Sequence, residues 1–339
     1  MKKEILTIQY SRAFAAFFIV LYHVMRKGML LGLNNYEFSI GKMSVPFFFI
    51  ISGYIMGYIN NKEKIRFSDF IINRFVRIIP LYYLFTTVIL VVFIIKPSLV
   101  YYSHSPTITI LGSYILYSFQ NTSMLLNPGW TLRPELCFYI IFAIIYTNPW
   151  KYSKIIDLTI FICLLLSVFS SLFNIYFISS YFEYLYVFAI GLFIYRLDVA
   201  FDFKKIKRSF LFFILSSVLL FGYFHFFDDV NIYSVSIIAV FFISIISNEN
   251  KLSRNNLILK FLHLIGCASF SIYLTHVFSI GVVTLLLKKI PLTAFVFNFT
   301  SILLSILVGV LCYLFIEKPL IAKVKSLIAR VRLHFKPIT

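Results

Sequence analysis

Arg12 and His23 lie in the first long apolar stretch of the chain, 10–33, where an ionisable group costs about 2.5–3.5 kcal/mol at the bilayer centre on insertion scales. At 100° per residue, the step from position 12 to 23 advances about 1100°, close to three full turns. The two side chains therefore share one helix face, about 16 Å apart along the axis. An imidazole that titrates near neutral pH can act as general base toward an acceptor hydroxyl, and a guanidinium is a fixed cation suited to anions. The alternatives are a histidine that packs between helices and an arginine that snorkels to the membrane edge.

Two further groups carry chemistry. Arg74 and Arg77 stand at i and i+3, so on a helix their guanidiniums face the same way and form a cationic pincer for phosphates; the alternative is a topology signal. The run Trp130-Thr131-Leu132-Arg133-Pro134-Glu135 follows the breaker Asn127-Pro128-Gly129 and is expected to open a span at the outer surface. There Trp130 suits an aromatic belt and Pro134 a first helical turn. Glu135 either pairs with Arg133 or another outer cation, or orients His23 as a carboxylate orients a catalytic imidazole. His276 is a second proton-handling or acceptor-binding candidate, against a packing role. Glu317 closes the last apolar span, where it can meet a basic inner loop. Gly53 and Gly57 form a GxxxG, which predicts a close helix contact.

These residues must be positioned by a membrane bundle. The 339 residues are 60% hydrophobic and 19% aromatic, with only 13% charged and a mean hydropathy of +0.91. That composition excludes a soluble domain of this length, and continuous rather than alternating apolar runs exclude a β-barrel. The net charge of +18 comes from short basic clusters between apolar runs, the pattern that orients membrane helices, and no nucleic-acid motif is present. The four cysteines stand singly in apolar segments, without metal-ligand spacing, and read as small packing residues. No metal site is expected. No small-residue cleavage site follows the first apolar run, so the first helix is expected to be retained.

Ten windows are long enough to be read as spans: 10–31, 44–60, 78–95, 130–147, 156–178, 182–197, 209–227, 231–247, 264–287 and 293–316. The stretch 108–119 is short for a span and suits an outer-side or re-entrant helix. With ten spans and both termini in the cytoplasm, most of the basic residues fall on the inner side. The expected fold is thus an all-α polytopic bundle. Its transmembrane domain covers 1–322, and a basic tail, 323–339, either lies on the anionic inner leaflet or serves only as a topology signal.

The ordered set Gln9-Tyr10-Ser11-Arg12, Leu21-Tyr22-His23, Val45-Pro46-Phe47-Phe48-Phe49-Ile50-Ile51-Ser52-Gly53, Arg74-Phe75-Val76-Arg77, Trp130-Thr131-Leu132 with Glu135, Ser269 through His276, and Glu317-Lys318-Pro319 resembles the acyltransferase-3 family of bacterial integral-membrane O-acetylases. The likeness runs from about residue 5 to 322. Two departures stand out: Met43-Ser44-Val45-Pro46 replaces an acid-containing segment common in relatives, and the esterase-like C-terminal domain of many relatives is not in this chain. The second implies a one-component transferase.

The resemblance implies transfer of an acyl group, commonly acetyl from cytoplasmic acetyl-CoA, to a sugar hydroxyl of an exopolysaccharide, an O-antigen or a lipid-linked precursor across the inner membrane of a bacterium. Arg12, His23 and Glu135 would then be catalytic, Arg74 and Arg77 would hold the CoA phosphates, and Trp130 and His276 would meet the acceptor. Direct transfer and an acyl-histidine intermediate are both compatible with the residues. A flippase or transporter for a lipid-linked sugar is the competing reading. The absence of an internal repeat speaks against it.

Overall fold

The computed structural model describes residues 5–62, 66–100, 107–117, 122–146, 151–173, 175–227, 230–251, 256–287 and 293–334. Helix α1, Leu6–Leu30, is the spine of the molecule. Its first amides have no partner within the helix, and the Glu249 carboxylate supplies one from across the fold. Glu249 accepts from the Leu6 and Thr7 amides at 3.1 and 2.8 Å and from the Thr7 hydroxyl at 2.7 Å, and its negative charge faces the positive end of the helix dipole. Just beyond the other end, Gly32 takes a positive φ of 71° and turns the chain back.

Helix α2, Ser44–Lys62, follows a 3-10 turn, Ser39–Met43, and presents the predicted GxxxG to a later helix, Leu185–Phe201. A Cβ at Gly53 would stand 2.2 Å from the Phe188 carbonyl oxygen, and one at Gly191 2.1 Å from that of Ile50. Only hydrogen fits at this crossing, so the two backbones touch, as small residues permit in lipid. Around the crossing, Phe188 stacks on Phe49 at 4.5 Å and on Phe138 at 4.4 Å. This aromatic core keeps the bundle dense where lipid provides no hydrophobic drive for helix association.

Helix α3, Phe67–Ile95, is the longest single α-helix described. After it the chain departs from a purely helical pattern. Strand β1, Thr107–Thr109, pairs in parallel with β2, Thr122–Met124, and the five-residue α4, Ile110–Tyr114, lies between them. The predicted outer-side or re-entrant helix at 108–119 is thus helical only over α4, and its last two residues lie outside the described ones. The Tyr82 hydroxyl donates to the Ser113 carbonyl at 2.6 Å, and the Ser113 hydroxyl accepts from the Leu125 amide at 2.8 Å. Met124, Leu125 and Leu126 are buried, so this segment enters the bundle. A 3-10 turn, Asn127–Thr131, delivers it to α5, Leu132–Tyr146.

The remaining helices are α6, Tyr152–Phe173, α7, Tyr176–Phe182, α8, Leu185–Phe201, α9, Ser209–Phe226, α10, Ile232–Ile246, α11, Leu257–Cys267, α12, Ser269–Leu287, α13, Ala294–Cys312, and α14, Lys318–His334. A π turn, Tyr313–Glu317, joins the last two. Helix α14 runs through position 322 without a break, and an Arg332–Asp69 ion pair ties it to the start of α3. Residues 335–339 of the predicted tail lie outside the described ones.

Each of the ten predicted windows holds a helix, but among the described residues eight helices are long and apolar enough to cross a membrane. The difference lies in α5 and α10. At 15 residues each they reach about 22 Å, short of a hydrocarbon core of about 30 Å.

Candidate active site

The central cavity is lined by residues of α1, α2, α3, α5, α12 and the turn before α5. One wall is apolar, running along α2 from Val45 to Met56. The opposite side is polar: Arg12 from α1, Arg74 and Arg77 from α3, Thr131, Glu135 and Tyr139 at and beyond the α5 start, and Ser269 and Tyr273 from α12.

The arginines are held by aromatic and acidic neighbours. Arg74 lies 5.6 Å from the ring centroids of both Phe70 and Tyr139, a clamp that fixes its planar fork by cation–π attraction. Glu135 accepts a 2.6 Å hydrogen bond from the Tyr139 hydroxyl and lies within electrostatic range of Arg77, Arg12 and Arg74. Glu317, 4% exposed, accepts from the Ser271 hydroxyl at 2.5 Å and lies within range of Arg77 and Arg12. The π turn that ends at Glu317 shifts the helical register by one residue, a device common at functional sites. Among the described residues none of these five charges closes an ion pair within 4 Å. Three cations and the Glu135 carboxylate therefore share the cavity wall, with Glu317 within range behind the arginines, an arrangement that suits a multiply charged anionic ligand.

Arg12, Arg74, Arg77 and Glu135 are thus brought together, and His23, His276 and Trp130 are not on the cavity wall. The run at 130–135 departs from expectation. It does not open a span at the far end of the bundle, because the segment 122–131 runs through buried positions and the start of α5 shares the cavity with Arg12. Arg133 turns away from Glu135 toward Met124, its Nη2 2.8 Å from the sulfur. Glu135 is not among the electrostatic neighbours of His23, which are His276 and Arg26, and its hydroxyl partner is Tyr139, so the expected role of orienting the His23 ring is not what this geometry shows. Trp130, within the turn, packs against Tyr184 at 5.6 Å.

His23 and His276 form a second group. Their ring centroids are 4.9 Å apart and tilted by 38°. His23 is half-buried and His276 fully buried. Tyr273 joins this pair to the cavity: its ring is 5.9 Å from that of His276. Its hydroxyl lies 3.1 Å from that of Thr131 and donates to the Pro128 carbonyl at 3.2 Å.

Sequence reasoning did not single out Tyr139, Tyr273, Thr131 or Ser271 as site residues. Two had a signal in their spacing. Tyr139 lies one turn after Glu135, and 269, 273 and 276 recur at i, i+4 and i+7 on one helix face.

A family model described as "Acyltransferase domain" matches residues 5–314. The exopolysaccharide production protein ExoZ of Rhizobium meliloti (strain 1021) is 28% identical over 305 residues, which cover 86% of this chain and 92% of that protein. No solved structure matches the chain.

Proposed function

The chain belongs to this acyltransferase family, and we propose that it moves an acyl group, acetyl in the first instance, from a cytoplasmic acyl-CoA to a sugar hydroxyl of a cell-surface polysaccharide or its lipid-linked precursor. The observation that carries the reading is the convergence of Arg12, Arg74 and Arg77 on one cavity, with no ion pair closed among them and the facing carboxylates. CoA is an anion with several phosphate groups, and forked guanidiniums are the side chains best matched to phosphate. The likeness to an exopolysaccharide production protein supports a polysaccharide acceptor.

In this reading the arginines hold the donor's phosphates. The apolar α2 wall takes the less polar arm, and the thioester lies toward Tyr273. The acceptor oxygen attacks the thioester carbonyl carbon, the carbon–sulfur bond breaks, and the hydroxyl proton, taken up by His23 as general base, ends on the departing sulfur. Products are the sugar ester and the free thiol of CoA. Trp130 lies in the turn that carries Thr131, and His276 stands beside His23, each within reach of the acceptor path. No metal takes part. The protein resides in a bacterial inner membrane with both termini in the cytoplasm, the arrangement that keeps most loop cations inside.

The test is the purified protein with acetyl-CoA and polysaccharide from cells lacking it. Thiol release that depends on the polysaccharide, with a mass gain of one acetyl replacing one hydrogen, is expected. Translocation of the lipid-linked sugar with no thiol release would overturn the reading in favour of a flippase.

A further inference from the structure

His276 occupies an unusual place for an imidazole. It is 0% exposed, and neither ring nitrogen finds a hydrogen-bond partner of good geometry among the described residues. The nearest acceptors are the carbonyls of Ile272 and Tyr273 on its own helix. A buried ring served only by such poorly aligned carbonyls is weakly compensated for its lost hydration, and an unsatisfied buried polar group costs about 1–3 kcal/mol. A histidine kept for packing alone would be better replaced by an apolar side chain of similar volume.

Position gives the ring a task. On α12, Ser269 and Tyr273 line the donor cavity, and His276 follows Tyr273 by three residues, about 4.5 Å further along the axis. It is therefore the first titratable side chain beyond the cavity's Tyr273 edge on this face. His23 lies on the far side of it, half-buried and 4.9 Å away between centroids. At that spacing, nitrogens turned toward each other come within hydrogen-bond distance. The order along the path is thus cavity, Tyr273, His276, His23.

We infer that His276 is a second catalytic imidazole: it serves the departing thiol of the donor, and His23 serves the incoming hydroxyl. The inference rests on the acyl transfer proposed above. As the acceptor oxygen bonds to the thioester carbon, its proton enters the pair at His23. A proton crosses to His276, and one leaves from His276 to the sulfur as the carbon–sulfur bond breaks. Each ring gains a proton at one nitrogen and releases one from the other, so no charge accumulates in the apolar interior and no further reactant is required. Two neutral rings achieve what a single imidazole does only by turning between acceptor and leaving group.

The experiment uses full-length protein with His23→Ala, His276→Gln, His276→Asn and the His23→Ala/His276→Gln double change. Acetyl-CoA is the donor and polysaccharide from cells lacking the protein is the acceptor. Both His276 variants are expected to lower kcat by about 100-fold or more and to leave KM for acetyl-CoA within about threefold. The double variant should be no slower than the slower single one, because residues that act as a unit are not additive. A packing role would instead lower the melting temperature with kcat retained. Retained kcat in both His276 variants, or a double variant slower by the product of the two single losses, overturns the proposal and leaves acyl transfer standing. No thiol release by the unaltered protein overturns acyl transfer itself.

Discussion

The arginine cavity and the histidine pair adjoin through Tyr273, yet they are built on opposite principles. The cavity gathers charges from three separate parts of the chain, Arg12, Arg74 with Arg77, and Glu135, with Glu317 within range of two of them, and leaves them apart from one another. The pair uses two helices, no formal charge and one close ring contact. The contrast fits a division of labour. Anion binding spreads over many donors and loses only part of its strength with each, whereas proton transfer depends on a few atoms within hydrogen-bond reach.

Loss of chemistry should exceed any loss of binding. His23→Ala is expected to lower kcat by about 100- to 10,000-fold with KM for acetyl-CoA nearly unchanged, read by steady-state thiol release. A comparable rise in KM would erase the distinction between the two regions. Arg77→Ala should act in the opposite sense, raising KM by about ten- to a hundredfold through loss of one charge-assisted contact of about 1.5–3 kcal/mol. Arg77→Lys should recover little of this, because an ammonium lacks the planar fork.

Smaller effects belong to the scaffold. Gly191→Ala places a Cβ 2.1 Å from the Ile50 carbonyl oxygen and should separate α2 from α8, destabilising the fold by about 1–3 kcal/mol. A lower thermal midpoint in detergent, with little change in KM per folded molecule, checks it. Tyr273→Phe keeps the ring between the two regions and removes its hydrogen bond to the Pro128 carbonyl, at a cost of about 0.5–1.5 kcal/mol. Its kcat should fall less than that of His23→Ala, and an equal fall would make Tyr273 part of the chemistry.

The two regions also differed in how well the sequence revealed them. The face that joins Arg12 to His23 follows from helical arithmetic on one continuous helix, and the close approach at Gly53 was readable as a GxxxG. Both are local, and local periodicity survives tertiary packing. Glu135 was misplaced because a short strand pair, a five-residue helix and a 3-10 turn, in the described pieces 107–117 and 122–131, precede it, and none of these leaves a long-period signal. Its partners are set by contacts with α1 and α3, far away in sequence. Glu317 was expected to meet a basic inner loop, and it lies within range of Arg77 from the α3 end of that region, aided by a π turn that sequence does not announce. His276 was visible as a buried imidazole, but its closeness to His23 depends on how α1 and α12 pack. The eight long helices were legible by length and hydropathy, and α5 and α10 looked longer than they are because apolar flanks extend beyond the helical residues.

Calorimetric binding of CoA to the purified protein tests the division most directly. His23→Ala should bind CoA as the unaltered protein does while its transferase activity is lost, and Arg74→Ala/Arg77→Ala should lose binding. CoA binding that fails in His23→Ala, or persists undiminished without both arginines, would contradict the account.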